Sequence, residues 1–126
     1  MSREQVETIL LVEDEPLVLK VTEAMLRRLG YQVLMAHDGR EAITIYTDHQ
    51  EQIALVLTDL TMPDMGGVAL AKVLWEKNPR IKIVALTGYP IGHATIDFSA
   101  PGIVDWAQKP LTIENLAKII TQWLGA

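Results

Sequence analysis

Short runs made wholly of apolar residues alternate with longer amphipathic stretches along this chain, and that alternation restricts its fold more than any other feature. Ile9-Leu10-Leu11-Val12 leaves no polar position for a solvent-facing side, as expected of a parallel strand buried on both faces. Further strands are predicted over 31–36, 53–57, 81–86 and, less apolar, 102–107. Between them lie helical patterns. Pro16 suits a first helical turn, and Leu17, Val18, Val21, Ala24, Met25 and Leu29 share one arc, which leaves Leu19 off it and exposed. Gly30 ends that helix. Asp38 and Glu41 have capping-box spacing ahead of a helix reaching about Gln50. The turn-rich 61–67 leads into a helix ending near Asn78-Pro79, and Thr112 caps a last helix with Ile113, Leu116, Ala117, Ile120 and Trp123 on one face.

Parallel strands need crossover helices, and right-handed crossovers put helices on both faces of the sheet. The expected fold is therefore an α/β, three-layer, doubly wound, flavodoxin-like parallel sheet of five strands in the order 2-1-3-4-5. The weak point is 89–102, where a fourth helix belongs. Two prolines, two glycines and the β-branched Thr95 and Ile96 oppose a regular helix, so a short or irregular segment is expected.

Composition removes several classes of function. With 126 residues, 49% hydrophobic and 21% charged, the chain is expected to form a single domain over 1–126. A net charge of -5, with no basic run longer than Arg27-Arg28, argues against direct nucleic-acid binding. The absence of cysteine excludes disulfides, thiol nucleophiles and thiolate metal sites. No apolar stretch is long enough to span a membrane and the first residues do not form a signal peptide, so a cytoplasmic location is expected. His37, His49 and His93 lack metal-ligand spacing.

Ligands of such sheets bind beyond the carboxyl ends of the strands, where the strand order reverses. Here those ends carry Glu13-Asp14-Glu15, Thr58-Asp59, Thr87-Gly88 and Gln108-Lys109-Pro110. A lone carboxylate after a strand is more often a helix cap or a solvated loop residue. The coincidence of several is what changes the reading. Strands one and three are neighbours in this order, so Asp14 and Asp59 are expected side by side, with Thr87 and Lys109 closing the crevice. Clustered carboxylates repel unless a cation joins them, and an all-oxygen set suits Mg²⁺. One carboxylate then remains to attack phosphorus.

The runs Ile9-Leu-Leu-Val-Glu-Asp-Glu-Pro16, Leu57-Thr-Asp-Leu-Thr-Met-Pro-Asp-Met-Gly-Gly67, Val84-Ala-Leu-Thr-Gly88 and Lys109-Pro110 resemble the receiver domain of two-component response regulators, over roughly residues 8–124. The resemblance implies that Asp59 accepts phosphate from the phosphohistidine of a histidine kinase or phosphotransfer protein. It implies Mg²⁺ held by Glu13, Asp14, Asp59 and the backbone carbonyl of Thr61. Thr87 and Lys109 would contact the phosphoryl group, and a cis Lys109-Pro110 bond would aim the lysine inward. Thr87 and an aromatic on the fifth strand, here Trp106, would relay the switch; the bland alternative for Trp106 is a packing residue. Tyr or Phe is commoner there, and Asp is commoner at Glu13. Val-Glu-Asp-Glu at 12–15 points to the receiver of a hybrid sensor kinase. No catalysis beyond self-phosphorylation and autodephosphorylation is implied, and a monomer is expected. Two other readings share parts of the pattern. One is a phosphate-independent interaction module. The other is an aspartyl phosphatase like the haloacid dehalogenases, for which Thr61 stands where a second Asp is required. A flavin site fits poorly, since the loop after the first strand is acidic.

Overall fold

The computed structural model describes residues 6–62, 65–88 and 100–125. Five strands, β1 (Thr8–Val12), β2 (Gln32–Ala36), β3 (Ile53–Asp59), β4 (Ile83–Thr87) and β5 (Ile103–Gln108), form one parallel sheet in the order β2-β1-β3-β4-β5. The helices are α1 (Pro16–Arg28), α2 (Gly39–His49), α3 (Gly67–Lys77) and α4 (Ile113–Leu124). β1 and β4 are buried at every position, which is why their sequences show no alternation. One core layer joins the sheet to α1 and α4 through Leu19, Leu26, Leu116 and Ile120. The second joins it to α2 and α3 through Tyr46, Leu70 and Leu74.

Both side-chain caps lie where the sequence puts them. Asp38 accepts from the Glu41 N–H at 2.8 Å, and Thr112 accepts from the Asn115 N–H at 3.1 Å. Glu41 reaches one residue further back than a capping box requires, taking the His37 N–H. β4 starts two residues later than expected. Asn78 holds the chain in a turn, accepting the Arg80 N–H on its side chain and the Ile81 N–H on its carbonyl.

The reading of α1 is corrected. Its buried residues are Leu19, Thr22 and Leu26, whereas Leu17 is 74% and Val21 54% exposed. The buried face is turned by about 100°, one residue's rotation, from the apolar arc. Counting apolar residues misplaced it because Thr22 belongs to the buried stripe and Leu17 and Val21 do not. The irregular fourth helix was expected over 89–102, and residues 89–99 lie outside those described.

Candidate functional site

β1 and β3 are neighbours and run in the same direction, so the residues following β1 and those ending β3 emerge together. The Glu13 N–H extends the β1–β2 ladder by donating to the Ala36 carbonyl at 3.1 Å. That bond fixes Glu13 and Asp14 at the sheet edge. Asp59 is the last residue of β3, and the Leu60 N–H beyond it still donates to the Leu86 carbonyl of β4 at 3.0 Å. Glu13 is 1% and Asp59 4% exposed, while Asp14 is half-buried. One carboxylate oxygen from each of Glu13, Asp14 and Asp59 lies within 4.8 Å of the others. Among the described residues this is the group able to hold a metal ion.

Lys109 closes the crevice from the far side of the sheet. Its Nζ donates to Glu13 Oε1 at 2.7 Å and to Asp59 Oδ2 at 3.1 Å. Its backbone N–H donates to the Thr87 carbonyl at 2.7 Å, so β4 and the residue after β5 are tied at the site. The Lys109-Pro110 bond is cis, as the resemblance implied. Thr87 ends β4 and is 2% exposed. The Thr61 N–H donates to Asp59 Oδ1 at 3.3 Å, and the Glu15 N–H donates to Glu13 Oε2 at 3.1 Å. Trp106 pairs with Ala85 across the β4–β5 ladder, two residues short of Thr87, which puts Trp106 and Thr87 diagonally on one face.

The electrostatics follow from burial. Desolvation pushes the Glu13 carboxyl above its ordinary value; the Lys109 bond opposes this and the charge of Asp59 adds to it. For Lys109, burial disfavours the ammonium, yet the bonds and charges of Glu13 and Asp59 outweigh it, so its pKa is raised. Three carboxylates therefore face one ammonium, an imbalance that a divalent cation corrects. All donors are hard oxygens, which fits a small hard ion.

The glycines of the turn after β3 have a close-packing cause that the sequence motif does not reveal. A Cβ on Gly67 would lie 2.5 Å from the Asp59 carbonyl oxygen, so only glycine lets α3 begin against the Asp59 backbone. Sequence reasoning also missed the groove of about 500 Å³ beside Lys109, lined by Leu17, Val18, Val21, Met25, Pro110 and Leu111. It was hidden because Leu17 and Val21 fall on the apolar arc of α1, whereas both are exposed.

A doubly wound sheet with an acidic, lysine-closed crevice at its switch point defines a class of protein that handles phosphoryl groups on a carboxylate. The family can be stated. A sequence model of the response regulator receiver domain matches residues 9–121, and this chain belongs to that family, the phosphoacceptor domains of two-component signalling. The transcriptional regulatory protein ZraR of Escherichia coli is 32% identical over 93% of this chain and 26% of its own length. The sensor kinase CckA of Brucella abortus is 31% identical over 93% of this chain and 12% of its own. The chain thus spans about a quarter or less of these relatives. Among solved structures, the receiver domain of the hybrid histidine kinase CckA is 33% identical with a TM-score of 0.78, covering 93% of this chain and 98% of that one. TrrA of Thermotoga maritima, solved in complex with Mg(2+)-BeF, is 26% identical with a TM-score of 0.83 over 94% and 99% of the two chains. No described helix is long and apolar enough to cross a membrane.

Proposed function

We propose that Asp59 is the phosphoacceptor and takes its phosphoryl group from the phosphohistidine of a kinase or phosphotransfer protein. One observation carries this: the buried Asp59 carboxylate converges with Glu13, Asp14 and the Lys109 ammonium at the switch point of the sheet. Glu13, Asp14, Asp59 and the Thr61 carbonyl would hold Mg²⁺, which when bound neutralises charge on the phosphoryl oxygens. The relative solved with Mg(2+)-BeF supports that choice of ion.

An oxygen of Asp59 bonds to phosphorus as the phosphorus–nitrogen bond of phosphohistidine breaks. The bonding pair passes to the imidazole, which takes up a proton. The Thr61 N–H orients Asp59 for attack, and Lys109 offsets the charge that arrives. Thr87 donates its hydroxyl to a phosphoryl oxygen, and Trp106, diagonal to it, responds to that movement. Hydrolysis of the acyl phosphate resets the site, and no other turnover is proposed. The exposed Leu17 and Val21 beside Lys109 form the surface on which the phosphodonor docks. Residues 1–126 are read as one monomeric receiver domain, working in the cytoplasm without binding nucleic acid. The relatives include both a transcriptional regulator and a sensor kinase, so the similarity assigns this domain no single output.

Incubation with acetyl phosphate and Mg²⁺, read by intact mass, tests the assignment. One phosphoryl group is expected on the wild type and none on Asp59→Asn. Equal labelling of the two proteins would place the acceptor elsewhere.

A further inference from the structure

The first residue of α2, Gly39, is buried, and what buries it is Met65 from the turn after Asp59. A Cβ on Gly39 would lie 2.8 Å from both Cβ and Sδ of Met65 and 3.0 Å from its Cγ. The Sδ could swing away. The Met65 Cβ could not, because it is fixed to the backbone, so any side chain at position 39 forces the turn and the start of α2 apart. No backbone conformation calls for glycine here, since among the described residues the positive φ angles belong to Gly30, Gly102 and Gly125. Ordinary helix energetics would in fact favour alanine over glycine by up to about 1 kcal/mol. The close approach of Met65 is the physical reason for glycine at this place.

That turn leaves Asp59 and returns at Gly67, whose N–H donates to the Leu60 carbonyl at 3.0 Å. It has two apolar anchors. Met62 is buried in the core shared with α2 and α3, and Met65 packs against the same core over Gly39. Thr61 precedes the first anchor and holds Asp59 Oδ1 through its N–H. Met65 lies two residues before Gly67, whose N–H holds the Leu60 carbonyl and whose α-carbon lies against the Asp59 carbonyl, so a shift at Met65 reaches the backbone on either side of Asp59 and Thr61 from that end of the turn.

We propose that Gly39 and Met65 are positioning residues for the metal site: the turn carrying Thr61 is set in place by seating Met65 on the bare backbone of Gly39. The inference rests on the reading of Thr61 and the three carboxylates as the Mg²⁺ site. It gives the start of α2, otherwise a scaffold helix, a part in setting cation affinity.

Isothermal titration with Mg²⁺ alone, on the whole chain, tests the seat, and urea unfolding in EDTA separates affinity from stability. Gly39→Ala is expected to weaken Mg²⁺ binding by about tenfold, the lower end of what loss of a group supporting a metal ligand costs. Met65→Ala is expected to weaken it in the same direction. Combining the two should fall short of the product of the single effects, because both act through one contact. Met65→Ala truncates a half-buried side chain and carries the test should Gly39→Ala not fold. Mg²⁺ affinities within about twofold of wild type in the variants that fold, whatever their stability, overturn the seat. A wild-type protein that binds no Mg²⁺ overturns the metal reading itself, and this inference with it.

Discussion

Lys109 is the residue on which the metal-free site depends most. Its ammonium is the partner of Glu13 at 2.7 Å and of Asp59 at 3.1 Å, and both carboxylates are almost wholly buried. Removing one member of such a group leaves the others buried without a counter-charge, which costs about 3 kcal/mol. Lys109→Met keeps the length of the stem and removes only the charge. It is expected to lower the unfolding free energy by about 2–3 kcal/mol in EDTA, measured in urea, with part of the loss recovered when Mg²⁺ is added. An equally stable variant in EDTA would mean that the two carboxylates do not depend on the lysine. The residue types at this site were readable in the sequence because the ends of four parallel strands, β1, β3, β4 and β5, meet at one edge. The hydrogen-bond pattern was not. That Glu13, rather than Asp14, would be the buried carboxylate and the nearer partner of Lys109 depends on where β1 hands over to its loop.

At the scale of the element, α1 shows where reading by pattern fails. Its apolar residues cover more than half of its circumference, so the arc with most of them is not the arc that packs. Leu19 is 3% exposed within the core of the α1–α4 layer, and Leu17 is 74% exposed. Leu19→Ala should cost about 2–4 kcal/mol in urea unfolding, as a buried leucine truncation does. Leu17→Ala should stay within about 0.5 kcal/mol of wild type, as an exposed substitution does. If Leu17 belongs to the donor-docking surface, the same variant transfers phosphate more slowly from a phosphorylated partner and labels normally with acetyl phosphate. Reversal of the two stabilities would restore the original arc. The cap of α2 yields a pH dependence. The His37 backbone N–H, together with the His37 ring, holds the Glu41 carboxyl below its ordinary value of 4.5. A depressed carboxyl stabilises the fold above its unfolded pKa and loses that contribution as pH falls through the folded one. Wild type is therefore expected to exceed Glu41→Gln by a few tenths of a kcal/mol at neutral pH, a small margin because the side chain is 42% exposed. The margin should begin to shrink as pH falls below 4.5 and vanish once the folded carboxyl is protonated, and a margin that grew on acidification would reverse the assigned sign.

Over the whole molecule, the order of the sheet was legible because alternating strands and crossover helices leave few topologies, and a buried parallel sheet writes itself as unbroken apolar runs. The edge strand was less legible, because what shapes it is a property of the ladder and not of the sequence. Ile83 pairs with Ile103 but Val84 pairs with Asp105, so Val104 is an extra residue and β5 is bulged. The bulge turns Asp105 toward α4, where its Oδ2 accepts Trp123 Nε1–H at 2.8 Å. Its Oδ1 accepts the backbone N–H of Trp106 at 2.8 Å. Lys82 Nζ reaches the Trp123 carbonyl at 2.8 Å, so the starting end of β4, the edge strand and the last turn of α4 are drawn together. One carboxylate thus holds the strand that carries Trp106 against the end of the final helix. Trp123→Phe keeps an aromatic ring but loses the indole N–H and part of the indole's bulk, and should cost about 2 kcal/mol in urea unfolding, the lost bond to a charged group being the larger share. Asp105→Asn should cost less by itself. In the double variant the two effects should fall short of their sum by more than 0.5 kcal/mol, roughly the limit within which independent sites add. Additive costs would show that Asp105 and Trp123 act separately, and β5 would then meet α4 by packing alone.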